Sequence, residues 1–154
     1  MEYSYGYDTV IGRLYITADE ENLLRISFDA PSGLCKETAL IKETFKQLSE
    51  YFSGKRVEFN LPLAPSGTEF QKQVWNALLK IPYGETRSYK ELAQIIGNEK
   101  ASRAVGMANN KNPLMIVIPC HRVIGANGNL TGYAGGIGVK KRLLELESGK
   151  KFSK

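Results

Sequence analysis

A chain of 154 residues that is 42% hydrophobic is sized for one ordinary domain or two small ones, and no apolar stretch approaches the roughly 18 residues that would mark a membrane helix. The start Met1-Glu2-Tyr3-Ser4 lacks the basic-then-apolar pattern of an export signal, so a soluble protein of the cytoplasm, or of the nucleus in a nucleated cell, is expected. The net charge of +5 is unevenly spread: residues 1–66 hold seven Lys or Arg against ten Asp or Glu, and residues 67–154 hold fourteen against six. A basic half points to a polyanion such as the phosphate backbone of nucleic acid, the alternative being a merely solubilising surface.

In chain order, Tyr3–Tyr7, Arg13–Thr17 and Leu23–Phe28 are rich in aromatic and β-branched residues and are separated by Asp8–Gly12 and Asp19–Asn22. They predict an antiparallel meander, broken by Pro31-Ser32-Gly33. From Lys36 to Phe52, apolar residues recur at Ile41, Phe45, Leu48, Tyr51 and Phe52, the spacing of an amphipathic helix that stops near Gly54. Val57, Phe59, Leu61 and Leu63 alternate as a further strand. No chemistry is legible in this small mixed α/β unit, which reads as a support for the second half. Leu61–Gly67, with Pro62 and Pro65, reads as a connector, dividing the chain into residues 1–63 and 64–154.

In the second half, Ser66 or Thr68 can cap a helix with Glu69 or Gln71 as the returning partner. Phe70, Val74, Leu78 and Ile81 form its buried stripe, helped by Trp75 and Ala77, and Ile81-Pro82-Tyr83-Gly84 ends it. Ser88 with Glu91 forms a capping box for Tyr89–Ile96, stopped by Gly97, and Asn98 can cap Glu99 to about Asn109. Two short helices joined by a tight turn make a helix-turn-helix pattern. The second of them has small residues that permit close approach to another backbone. Leu114–Ile118 reads as a buried strand that Pro119 terminates. Ile137–Glu147 reads as a last helix, with Val139, Leu143 and Leu146 on one face and a basic Lys140-Lys141-Arg142 cluster.

Cys120 therefore stands where a strand stops, followed by His121, the single histidine of the chain. A helical turn beginning there would favour thiolate over thiol, and the imidazole is a possible base. Against this, free cysteines are among the most buried residues and are commonly inert. The polar, Gly-rich run Gly125–Gly136 downstream reads as a loop rather than a core wall. From the residues alone, a reactive thiol and an inert core cysteine both stay open. Without a secretory context Cys35 and Cys120 are expected to be unpaired, and two cysteines with one histidine make no usual zinc site, so no metal is expected.

Pro119-Cys120-His121-Arg122-Val123, preceded by Asn112-Pro113 and followed by Gly132-Tyr133-Ala134-Gly135-Gly136, resembles the active-site signature of the O6-alkylguanine-DNA alkyltransferases. The similarity runs from about Gly67 to Glu147, with a weaker match in the N-terminal part. It implies an α+β protein: a ribonuclease-H-like unit of antiparallel strands plus a helix, then a mostly helical DNA-binding and alkyl-transfer domain with a helix-turn-helix. It further implies direct-reversal repair of double-stranded DNA containing O6-alkylguanine. The helix-turn-helix would bind the minor groove, the base would be flipped out, and the alkyl group would pass irreversibly to Cys120, once per molecule. A monomer is expected. No cofactor is implied, because DNA is itself the alkyl donor. Some members of the family carry a zinc in the N-terminal part, for which this chain has no ligands.

The resemblance also assigns residues. Cys120 would be the nucleophile, His121 a base acting through water, and Glu147 the group that orients the imidazole. Tyr89 would help turn the phosphate and donate a proton toward the leaving guanine, and Asn112 would brace the turn into the site. On the DNA side, Arg103 would take the place of the flipped base, accompanied by Lys100, Ser102, Ala104 and Arg122. The pocket would include Tyr133 and Ala134 near guanine O6, Val123 with its neighbouring backbone carbonyls, and Asn109 and Met115 at the edge. Where some members have serine this chain has Ala134, so only its backbone N–H could serve. Three other readings compete: a relative that grips alkylated DNA without transfer, a helix-turn-helix transcription regulator, and a hydrolase using the Cys-His pair.

Overall fold

The computed structural model describes residues 1–130, 133 and 135–149. The chain divides into two compact units, Met1–Ser66 and Gly67–Lys154.

In the first unit the predicted meander forms as β1 (Tyr3–Thr9), β2 (Gly12–Ala18) and β3 (Leu23–Ser27), antiparallel in register Ser4↔Thr17 and Ile16↔Ile26. Alternation along β2 puts Leu14, Ile16 and Ala18 in the core, where they meet Ile41 and Leu48 of helix α1 (Ala39–Phe52). Thr38 caps α1 by accepting from the Ile41 N–H, so the helix begins three residues later than Lys36. A short strand β4 (Leu34–Cys35) pairs in parallel with β1, giving the order β3-β2-β1-β4. The predicted strand over Val57–Leu63 does not form. Only Leu63 bridges, to Leu23, because Pro62 has no N–H to give a ladder, and Asn60 is instead held at both backbone groups by the Gln47 amide.

The second unit is mostly helical. Helix α2 (Glu69–Leu79) starts at a full Thr68–Gln71 capping box, and α3 (Tyr89–Ile95) at a full Ser88–Glu91 box. Trp75 of α2 is buried and its indole N–H donates to the Ala108 carbonyl at 2.9 Å, fastening α2 to helix α4 (Ser102–Asn110). Gly97, at φ +83°, ends the α3 segment as predicted. Asn98 does not act as the expected cap: its side chain makes no cap bond, and a 3-10 turn, Glu99–Ala101, precedes α4. Two-residue strands β5 (Arg87–Ser88) and β6 (Val123–Ile124) pair in parallel, tying the start of α3 to the chain just past Cys120.

Helix α5 spans Ile137–Glu147 as predicted, but its buried stripe is Lys140, Leu143 and Glu147, one residue around from the expected Val139, Leu143 and Leu146. Lys140, the first member of the basic Lys140-Lys141-Arg142 cluster, is 0% exposed. The α+β architecture matches the expectation, and no helix of the described residues is long and apolar enough to cross a membrane.

Candidate active site

The site is built on residues 112–124. Leu114–Ile118 is buried throughout, yet it is a tight turn and not the predicted strand. The Ile118 N–H donates back to the Leu114 carbonyl at 2.9 Å, the Val117 N–H to Met115 at 2.9 Å, and the β-branched Ile116 is forced to φ +75°. Such strain persists only where neighbours over-determine it. The brace is Asn112, whose amide donates to the Ile118 carbonyl at 2.7 Å while its Oδ1 accepts the Leu114 N–H at 3.0 Å. Apolar composition gave the correct burial, but the hydrogen bonds close within the run, which no hydropathy pattern distinguishes from a ladder.

Pro119 leads into a 3-10 turn, Cys120–Arg122. The Cys120 N–H donates to the Ile118 carbonyl at 2.7 Å, and the pull of this backbone donor on the thiol is smaller than the opposing effect of burial. Burial pushes Cys120 up to about 11, against a hydrogen bond from Asn112 and the charge of Lys140 that pull it down. It is a thiol at neutral pH. Cys35 and Cys120 are both free, Cys35 exposed and Cys120 buried.

Behind the cysteine lies a chain of charge-assisted hydrogen bonds. His121 Nε2 is 2.6 Å from Glu147 Oε2, Arg122 Nε donates to Oε1 at 2.7 Å, Arg122 Nη2 donates to Oε2 at 3.0 Å, and the Gly84 N–H reaches Oε1 at 3.4 Å. Burial alone would raise the Glu147 carboxyl, but the hydrogen bonds from His121 and Arg122 outweigh it and bring it to about 2. Burial holds His121 below its ordinary value despite the carboxylate, so the ring is neutral. A neutral ring beside a carboxylate must carry its proton on Nε2, which leaves the Nδ1 lone pair open. Nδ1 is buried and has no partner among the described residues.

Arg122, expected on the DNA, is corrected by this geometry. It is 7% exposed, forks Glu147, donates from Nη1 to the Ile81 carbonyl at 2.6 Å, and lies over the Tyr83 ring at 5.7 Å from its centroid. Each of its three nitrogens donates to a group inside the fold, and a bidentate Arg–carboxylate pair is the strong form of this interaction. Lys140 is a second cation that the fold puts inside. Its Nζ is 6.0 Å from the centroid of the Tyr89 ring and its charge acts on Cys120. The three-then-four spacing of Lys140, Leu143 and Glu147 along one helix face was the available signal.

The other expected residues fall into two groups. Lys100, Arg103 and Ala104 are exposed with Met107 on the outer surface of the 3-10 turn and α4, Ser102 is half-buried there, and Tyr89 is half-buried at the start of α3. Asn109, Met115, Val123 and Tyr133 are all buried. Burial lifts the Tyr133 phenol well above its ordinary value, as do the charges of Cys120 and Glu147, and its hydroxyl has no partner among the described residues. Ala134 lies outside the described residues.

Fold and site together define a two-unit α+β protein whose second unit joins a helix-turn-helix to a buried thiol backed by histidine, glutamate and arginine. The model described as the 6-O-methylguanine DNA methyltransferase DNA binding domain matches residues 69–149, and that of the same protein's ribonuclease-like domain matches residues 1–65. The methylated-DNA–protein-cysteine methyltransferase of Methanosarcina acetivorans is 51% identical over 148 residues, 92% of this chain and 95% of that protein. The constitutive one of Bacillus subtilis is 44% identical over 158 residues, 96% of each. A crystal structure of Mycobacterium tuberculosis OGT in complex with DNA is similar at a TM-score of 0.91 and 44% identity, covering 97% of this chain and 94% of that one. The chain belongs to the 6-O-methylguanine DNA methyltransferase family.

Proposed function

We propose that this protein repairs alkylated duplex DNA by direct reversal, moving the alkyl group of an O6-alkylguanine to Cys120. The observation that carries the reading is the neutral His121, pinned through Nε2 on the Glu147 carboxylate with Nδ1 open, directly beside a buried thiol. A thiol held near 11 is almost wholly protonated at neutral pH, so attack must be coupled to proton removal. His121 Nδ1 takes that proton through a water, and Glu147, kept charged by Arg122, stabilises the imidazolium that forms, the base-and-orienter arrangement of other activated nucleophiles. The Sγ lone pair attacks the alkyl carbon, the O6–carbon bond breaks as the sulfur–carbon bond forms, and guanine leaves with that electron pair and is reprotonated, Tyr89 supplying the proton.

The target carbon is inaccessible in a stacked duplex, so the base is flipped out at a cost of a few kcal/mol. Arg103 projects from the exposed surface of α4 and fills the gap, with Lys100, Ser102 and Ala104 against the minor groove. The family relationship and the DNA-bound relative support this reading. A thioether is a poor leaving group, so each molecule acts once.

The test is intact mass spectrometry after incubation with duplex DNA carrying O6-methylguanine, followed by peptide mapping. A gain of one CH2 on Cys120, stopping at one per molecule and absent in Cys120→Ala, is the expected result. Binding to the lesion with no gain would overturn transfer in favour of a grip-only role.

A further inference from the structure

The turn that follows α2 does more than end a helix. Within Ile81-Pro82-Tyr83-Gly84, three residues touch the Arg122–Glu147 pair. The Ile81 carbonyl accepts from Arg122 Nη1 at 2.6 Å, the Arg122 guanidinium lies over the Tyr83 ring at 5.7 Å from its centroid, and the Gly84 N–H reaches Glu147 Oε1 at 3.4 Å. Gly84 stands at φ +83°, and a Cβ there would meet the Glu147 carbonyl oxygen at 3.2 Å, so this approach requires glycine. Ile81 and Gly84 act through the backbone, which leaves the Tyr83 ring as the contact that depends on a side chain. Tyr83 is half-buried while Arg122 beneath it is 7% exposed, so the ring is a layer between the guanidinium and water. An aromatic face both attracts a guanidinium and shields it.

The consequence falls on His121. Its imidazole is surrounded by Glu147 and Lys140 of α5 and by Arg122 of its own turn, with Cys120 and Tyr133 in the same buried cluster. Glu147 favours a proton on the ring, and Arg122 and Lys140 oppose it. Arg122 acts both by its own charge and by donating to each carboxylate oxygen, Nε to Oε1 and Nη2 to Oε2. Were water to reach the guanidinium and take over those donors, the full charge of the carboxylate would act on the imidazole. The ring would then be protonated at rest, and Nδ1 would have no lone pair with which to accept the cysteine proton.

We propose that Tyr83 is a positioning residue: its ring seals Arg122 onto Glu147 and thereby keeps His121 neutral and able to take the Cys120 proton. The consequence for alkyl transfer rests on the reading of the site given above, whereas the state of the imidazole belongs to the resting protein.

His121 is the single histidine of the chain, so NMR of its imidazole protons reads one titration in the protein without DNA. In the parent protein the midpoint should lie below the ordinary value of 6.5. Tyr83→Leu fills the space without an aromatic face and should raise the midpoint by about one pH unit or more. Tyr83→Phe keeps the face and should leave it within about 0.3 of a unit of the parent. Single-turnover transfer from a duplex carrying O6-methylguanine should follow the titration. In Tyr83→Leu it should be about tenfold slower than the parent near pH 7 and restored near pH 9, and in Tyr83→Phe it should match the parent throughout. A His121 midpoint unmoved in Tyr83→Leu, or moved equally in Tyr83→Phe, overturns the proposal. So does a rate loss that is the same at every pH, the mark of a merely structural role. A parent whose His121 titrates above 6.5 also overturns it, and that measurement needs no variant to fold. Transfer by none of the three proteins would instead overturn the repair reading, and the NMR titrations would still decide whether Tyr83 governs His121.

Discussion

Glu147→Gln tests the buried network most directly. The four groups around the carboxylate, His121 Nε2, Arg122 Nε, Arg122 Nη2 and the Gly84 N–H, are all donors on the protonation assigned above. A glutamine keeps the shape but replaces one acceptor oxygen with an NH2 that must face a donor, and it strands the Arg122 charge. Breaking one side of a buried ion pair costs roughly 3–5 kcal/mol. An independent route agrees: a carboxyl moved from 4.5 in the unfolded chain to about 2 in the fold, at about 1.4 kcal/mol per pKa unit, contributes about 3 kcal/mol. At roughly 2–4 °C per kcal/mol for a chain of this size, the thermal midpoint at pH 7 should fall by about 10 °C.

The sign of the pH dependence is set by the depressed pKa. Stability from Glu147 is fully present above its unfolded value and is lost as pH falls through the folded one, so the gap between parent and variant should close between about pH 4.5 and pH 2. Paired urea titrations at pH 7 and at acid pH read that gap while cancelling the carboxylates common to both proteins. A variant melting within about 2 °C of the parent, or a gap independent of pH, would refute the reasoning that the His121–Glu147–Arg122 chain stabilises the second unit.

Arg103→Ala removes an exposed side chain and should leave the thermal midpoint within about 2 °C of the parent, since surface substitutions are commonly within about 0.5 kcal/mol. It should nevertheless slow transfer from duplex substrate more than from the same lesion in a single strand, where no base need be displaced; equal slowing on both would remove Arg103 from the flipping step. Iodoacetamide at neutral pH in the absence of DNA should label the exposed Cys35 well before the buried Cys120, whose reaction should accelerate as pH rises toward about 11. Peptide mapping of the time course checks this, and faster labelling of Cys120 would mean a thiolate at rest.

Much of the second unit's site was legible in the residues. The Cys120-His121 pair and the Asn112-Pro113 turn stand out as a motif, and because a capping box is complete within four residues, Ser88–Glu91 fixed one helix start while the choice of Ser66 or Thr68 narrowed a second to two positions, of which the fold uses Thr68. Glu147 was different. It lies 26 residues beyond His121, and composition near a helix end reads only as surface charge; its link to the imidazole came from the family resemblance and is a distance in the fold.

What the amino-acid sequence determined by itself was local: where backbone donors find a cap, where apolar residues repeat at the helical or strand period, and where a glycine must stop a helix. Tertiary structure decided which charges are inside. Arg122 and Lys140 look like solvated cations to any scale that scores residues singly, yet both are buried, one forked on Glu147 and the other over Tyr89. Leu114–Ile118 is buried either way, but whether its donors close within the run or reach another strand depended on Asn112 and on the absence of a neighbouring ladder among the described residues. A buried ion needs partners from distant parts of the chain, Ile81, Gly84 and Glu147 here, so its position is a property of the assembled fold.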